Sequence, residues 1–183
     1  MVLSITATPV NKITYTLSSS NGNQNVSLTD SKNMSVNYTY GSGNNQITNA
    51  VTMTGVLSSG QSTQIDLYSL SQTSFVATTN VVFTGVKNFT VYNESTTEGY
   101  DFSVQATGTN ACTNVFNGGS GNLLVKPYSA FTYNDPFGGA NVSSSQRYVY
   151  LADQGSGVNY RLIVLGVDNP DASGSGIVES GIP

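Results

Sequence analysis

The chain has 183 residues, only 9% of them charged, and a formal net charge of -4 with six Lys plus Arg. So few cations cannot form a basic stripe along a phosphate backbone, and nucleic acid is not an expected ligand. With 38% hydrophobic residues, 11 Tyr and 7 Phe, the chain nevertheless has the apolar surface a disordered chain lacks.

The length suits one domain. Ser, Thr, Asn and Gly have to finish its surface in place of charge. Copies with such a surface repel each other little when packed side by side, which favours an assembly subunit over a free enzyme. Cys112 is alone and can form no intrachain disulfide, so it reads as a small buried apolar residue. MVLSITATPV has no basic start, and no segment approaches the ~18 apolar residues of a membrane span. Neither export nor a membrane partner is expected, and triplets such as Asn37-Tyr38-Thr39 are those expected by chance in an Asn- and Thr-rich chain.

Period-two alternation dominates the chain. Ile13, Tyr15 and Leu17 alternate with Thr14 and Thr16. Met34, Val36, Tyr38 and Tyr40 alternate with Ser35, Asn37 and Thr39. Val51, Met53 and Leu57 follow the same pattern, broken at Val56, as do Tyr100, Phe102, Val104 and Ala106. Each run reads as a half-buried strand. Arg147 to Leu151 and Tyr160 to Val167 are apolar on both faces, which suits central strands covered on both sides by the chain or by a neighbouring subunit. Turn residues cluster at 18–23, 41–45, 58–60, 117–121, 138–145 and 154–157, and 69–77 has room for one helical turn. The expected fold is an all-β antiparallel β-sandwich, jelly-roll-like, of about ten to twelve short strands. Residues 1–167 make up this domain, with 1–57 as extra strands or an assembly arm, and 168–183 form an extended tail.

Chemistry is sparse. The chain has no His, which removes the commonest general base and nearly all zinc sites. The acidic group Glu94, Glu98 and Asp101, with Asn93, is a weak calcium candidate, a solvated loop being the simpler reading. Asp168, Asn169 and Asp171 are turn residues before they are cation ligands, and Gly118-Gly119-Ser120-Gly121 lacks the Lys-Ser/Thr end of a phosphate loop. Tyr15, Tyr38, Tyr40, Tyr148, Tyr150 and Tyr160 could form a saccharide platform, but their in-strand alternation favours a core or a subunit interface. No catalytic residue, cofactor site or enzymatic activity is expected. In the tail, Ile177, Val178 and Ile182 are too few for a core, and a Gly/Ser stretch is usually ordered only when something holds it, so they are the expected contacts to a neighbour.

Residues 60 to 167 resemble small virion-associated proteins of tailed bacteriophages. The likeness is carried by Thr63-Gln64-Ile65-Asp66-Leu67, by Val82 to Asn93, by Asn114-Val115-Phe116, by Leu124 to Phe131, and by Val158-Asn159-Tyr160-Arg161-Leu162-Ile163-Val164-Leu165-Gly166. In that group an "IDL" element precedes a "VTF-x-x-VK" strand, a Pro-Gly-Gly-type turn follows, and a "YRLIVLG"-like strand closes the domain. Here Pro127-Tyr128-Ser129-Ala130 stands in place of the glycine turn, and the stretch before Ser58 has no counterpart. The resemblance implies a β-sandwich on a phage particle with no catalytic residues. The expected protein is a capsid decoration or cement subunit in the virion, made in the host cytoplasm. Its expected partners are copies of itself, a trimer being one form, and a major capsid protein. A tail, fibre or receptor-binding subunit, or a carbohydrate-binding surface module, is the alternative.

Overall fold

Alternation becomes burial wherever two sheets face each other. Along Asn49–Leu57, Val51 and Leu57 are buried while Thr52, Thr54 and Val56 face solvent. Along Tyr148–Asp153, Val149 and Leu151 are fully buried between half-exposed neighbours. The computed structural model describes residues 8, 10–21, 24–73, 78–119 and 121–168, with side chains for 8, 35–71, 80–119 and 121–168. The expected contacts Ile177, Val178 and Ile182 lie outside the described residues.

The described residues form fifteen strands: β1 (Val10–Asn21), β2 (Gln24–Ser35), β3 (Thr39–Tyr40), β4 (Gln46–Ile47), β5 (Asn49–Leu57), β6 (Ser62–Asp66), β7 (Leu70–Thr73), β8 (Thr78–Val81), β9 (Phe83–Asn93), β10 (Phe102–Gln105), β11 (Asn122–Val125), β12 (Ala130–Asn134), β13 (Ala140–Asn141), β14 (Tyr148–Asp153) and β15 (Val158–Asp168). Their only helical piece is a 3₁₀ turn, Thr113–Phe116. The strand count exceeds the expected ten to twelve, and the strands are not all short, since β1 and β2 have 12 residues each and β9 and β15 have 11.

Eight of the strands follow one plan. β5 pairs antiparallel with β15, β6 with β14, β9 with β12 and β10 with β11, as in a single hairpin folded back along its whole length. Rolling that hairpin sets β15 against β9 and β14 against β10. The result is two sheets, β12-β9-β15-β5 (with β13 also on β9) and β11-β10-β14-β6. This is the jelly roll expected from the sequence, two antiparallel sheets enclosing one core. Phe83, Phe89, Phe102, Leu67, Leu151 and Leu162 fill it and are fully buried, each contributing about 1.5–3 kcal/mol of burial. At Gly166 the β15–β9 register shifts, and an added methyl there would collide with the Gly85 carbonyl oxygen. Only glycine lets the two backbones approach so closely.

Both doubly apolar runs are central strands, but their outer faces differ. Ile47 and Tyr38, both fully buried, cover the outer face of β15 at Leu165, with Val36, Ala50 and Ile163 packed around them. The expected continuous strand from Met34 to Tyr40 is broken at Val36 and Asn37, which lets the segment cross over that sheet. The outer face of β14 is instead half open at Tyr148 and Tyr150.

Two local expectations need correction. The Ser/Asn run from Ser18 is strand as far as Asn21, because the ladder pairs Ser18 with Ser27 and Asn21 with Gln24. Of the stretch 69–77, the described residues 69–73 are not a helical turn but lead into and form β7, which pairs antiparallel with β8; residues 74–77 lie outside the described residues. β1 and β2 form a two-stranded sheet of their own and pair with no other strand among the described residues. Their register pairs Ile13 with Lys32, Tyr15 with Asp30, Leu17 with Leu28 and Ser19 with Val26. Thr8 Oγ1 donates to Asn37 Oδ1 (3.0 Å) where the chain enters and leaves this ribbon.

Candidate functional site

The acidic residues do not come together as a metal site. Glu94 accepts from Arg161 Nε (2.6 Å) and Asp101 from Lys126 Nζ (2.6 Å), while Glu98 lies exposed in the loop between them. Among the described residues no group of three Asp, Glu, Cys or His is placed to hold a metal ion, Glu94, Glu98 and Asp101 included. Asn93, considered with them, is a buried structural amide: its Nδ2 donates to the Tyr100 carbonyl (2.8 Å) and the Val125 carbonyl (3.0 Å). Among the described residues Asp101 Oδ1 is buried without a hydrogen-bond partner. Asp168 accepts from Thr48 Oγ1 and Asn49 Nδ2, which ties the end of β15 to the start of β5.

The six tyrosines also separate. Tyr38 and Tyr160 are buried, Tyr40 is exposed, and Tyr15 belongs to the β1–β2 ribbon. Only Tyr148 and Tyr150 share an outer face, their rings 6.4 Å apart and tilted by 59°. The Arg147 guanidinium, held by both oxygens of Asp66, lies 5.0 Å from the Tyr148 ring and 5.2 Å from the Tyr68 ring. Gln64 Nε2 donates to the Tyr150 hydroxyl (3.0 Å). This row is held by its own cation–π and hydrogen-bond contacts, and tilted rings do not form the flat platform a saccharide would stack on.

A different region has the geometry of a binding cleft. After β10 the chain makes the 3₁₀ turn and stops it at Asn117, which adopts the left-handed conformation (φ 57°, ψ 39°). Asn114 Nδ2 then reaches the Asn141 carbonyl (2.9 Å) and Gln146 Oε1 (2.5 Å), anchoring the turn to the segment after β13. Ser143 and Gln146 close that segment by exchanging backbone hydrogen bonds (3.0 and 3.1 Å).

The opposite wall is the loop Asp135–Gly139. Asp135 Oδ1 accepts from the backbone N–H groups of Phe137 (3.0 Å) and Gly138 (3.2 Å), and Oδ2 accepts from that of Gly139 (3.0 Å). The loop is also held from behind, where buried Lys87 donates its Nζ to the Phe137 carbonyl and the Asn45 N–H donates to the Pro136 carbonyl (2.8 Å). Gly139 has φ +74°, and a Cβ there would lie 2.9 Å from the Val86 carbonyl oxygen, so only glycine fits.

Between these walls lies an open cleft of about 760 Å³. Asn114, Asn117, Asn141, Ser143, Ser145 and Gln146 line one side, and Tyr133, Asp135 and Gly139 the other. Burial first, and then the Asp135 carboxylate, push the Tyr133 phenol up to about 12. Tyr133 therefore stays protonated at neutral pH and remains a hydrogen-bond donor beside Asp135. Tyr38, behind the same loop, is likewise pushed up to about 12 by burial and then by Asp135. Burial raises Cys112 too, so it is the buried thiol expected and not an activated nucleophile. Neither cleft wall contributes Lys or Arg, and the four cations whose side chains are described are committed elsewhere, three to carboxylates and Lys87 to a backbone carbonyl.

Sequence reasoning did not find this cleft. Its residues come from three separate turns, and the only signal was the concentration of Asn, Ser and Gly in the turn clusters near 117 and 138–145. The chain matches no known protein family, no curated protein and no solved structure. No helix among the described residues is long and apolar enough to cross a membrane.

Proposed function

We propose that this chain is a non-enzymatic structural subunit of a virion, in the first instance a decoration or cement protein that bridges neighbouring subunits on a capsid. The β1–β2 ribbon is the observation that carries the reading. At roughly 3.3 Å per residue its 12-residue strands reach about 40 Å, yet they pair with neither sheet of the jelly roll. An isolated two-stranded hairpin is at best marginally stable in water, so a long ribbon that pairs with no other strand among the described residues suits an arm completed by a neighbour. The jelly roll recurs in viral capsid and lectin domains, and the low charge of the chain suits dense packing of copies. A tail, fibre or receptor-binding subunit is the second reading, favoured by the polar cleft.

Adding charge to the arm tests the proposal. In the full chain, Leu17→Glu with Leu28→Glu, which are register partners, should leave the melting temperature of the jelly roll unchanged. The same variant should lose self-association in sedimentation and lose binding to phage heads produced from the same genome. Native protein that stays monomeric and leaves those heads unlabelled would refute the decoration reading.

A further inference from the structure

We propose that the cleft between the 3₁₀ turn and the Asp135–Gly139 loop is a binding site for a neutral saccharide. Its volume of about 760 Å³ falls within the range of ligand pockets, roughly 300–1,000 Å³. The lining chemistry selects the occupant. An anion would meet the Asp135 carboxylate with no Lys or Arg among the lining residues to offset it, and an apolar ligand would strand amides and hydroxyls without partners.

A sugar hydroxyl both donates and accepts, and so does a primary amide. The side-chain amides of Asn117 and Asn141 make no hydrogen bond within the described residues, and Gln146 uses only its oxygen, for Asn114. Donors and acceptors of both kinds are therefore left for a ligand. They stand on walls already fixed: Asn114 holds one, and three N–H groups on Asp135 hold the other. A site that needs little rearrangement loses little entropy on binding. The affinity of a single polar, open cleft is low, so its binding is read by a method suited to weak complexes. The inference does not depend on the virion reading, because the cleft is built within one chain.

Saturation-transfer NMR on the full chain, with methyl glycosides of glucose, galactose, mannose and N-acetylglucosamine and their β-linked disaccharides as probes, reads such weak binding directly. At least one probe should receive saturation. Asn117→Gly, which keeps the left-handed backbone, combined with Asn141→Ala should weaken that binding about tenfold, the order expected for lost hydrogen bonds, with the ¹H–¹⁵N spectrum otherwise preserved. Tyr150→Ala, on the outer sheet face, should leave it unchanged. No saturation of any probe, or binding that survives the cleft variant, or binding lost only in Tyr150→Ala, would overturn the proposal. None of these outcomes bears on the arm, whose variant is scored by assembly.

Discussion

Removing the Asn93 amide should cost more than its single position suggests, because that side chain joins both sheets and a loop. Asn93 ends β9, and its Nδ2 reaches Val125 on β11 of the opposite sheet (3.0 Å) and the carbonyl of Tyr100 (2.8 Å), while its Oδ1 accepts from the Ser95 N–H (3.0 Å). The residue is only 3% exposed. Asn93→Ala removes three hydrogen bonds, each worth a net ~0.5–1.5 kcal/mol and up to ~3 kcal/mol where the freed group stays dry. Ser95 and Tyr100 are half-exposed and can recover water, whereas Val125 is buried, so the expected loss is about 3 kcal/mol. For a chain of this size that lowers the melting temperature by roughly 6–12 °C.

Asn93→Asp keeps the shape and replaces the donor with an oxygen that faces two carbonyl oxygens. Its carboxyl should titrate above the unfolded value of about 3.9, since burial and the facing carbonyls favour the protonated form. A raised folded-state value means that the penalty is smallest below about pH 4 and grows as pH rises through the folded-state value. Differential scanning calorimetry of wild type and both variants between pH 3 and pH 7 checks this. An Asn93→Ala loss under ~1 kcal/mol, or an Asn93→Asp deficit independent of pH, would refute the bridging role.

Alkaline stability should depend on Tyr38 and Tyr133, both pushed up to about 12. Their contribution is complete below the unfolded value near 10 and is lost as pH rises towards 12, so Tyr38→Phe and Tyr133→Phe should each flatten the fall in melting temperature over that window. Urea midpoints that fall equally steeply in all three proteins would count against it. Tyr128 is 78% exposed and sits at φ +57° in the turn that Ser129 N–H closes onto the Lys126 carbonyl (3.1 Å). Tyr128→Gly relieves the ~1–2 kcal/mol cost of a left-handed side chain but adds unfolded-state entropy. Urea denaturation should therefore place it within ~1 kcal/mol of wild type, and a larger loss would mean that the ring packs on the domain.

The sequence alone was enough for the all-β class, for most of the turns, for a buried Cys112 and for the central position of the two doubly apolar strands. Alternation reports locally which side of a strand meets apolar surroundings, and turn residues report where a chain can reverse. It is silent about which remote strand lies alongside. The pairing of Leu57 with Val158, or of Ile65 with Val149, is settled only when the long hairpin rolls up and both sheets bury their inner faces at once. The ladder also overrode local propensity at Ser18 to Asn21, where pairing with Gln24 to Ser27 satisfies backbone groups that a turn would have left to water.

Polar residues depend on tertiary structure most of all. Glu94 and Asp101 are near neighbours in the chain and read as one cluster, but Arg161 arrives on β15 and Lys126 in the turn after β11, and they draw the two carboxylates apart. Asn114 and Gln146 carry no pattern in the sequence, and they form one wall of a cleft because β11 to β13 fold back between them. A buried apolar side chain needs only to leave water, which periodicity can encode. A hydrogen bond needs a particular partner at a particular distance, and for these residues only the packed jelly roll supplies it.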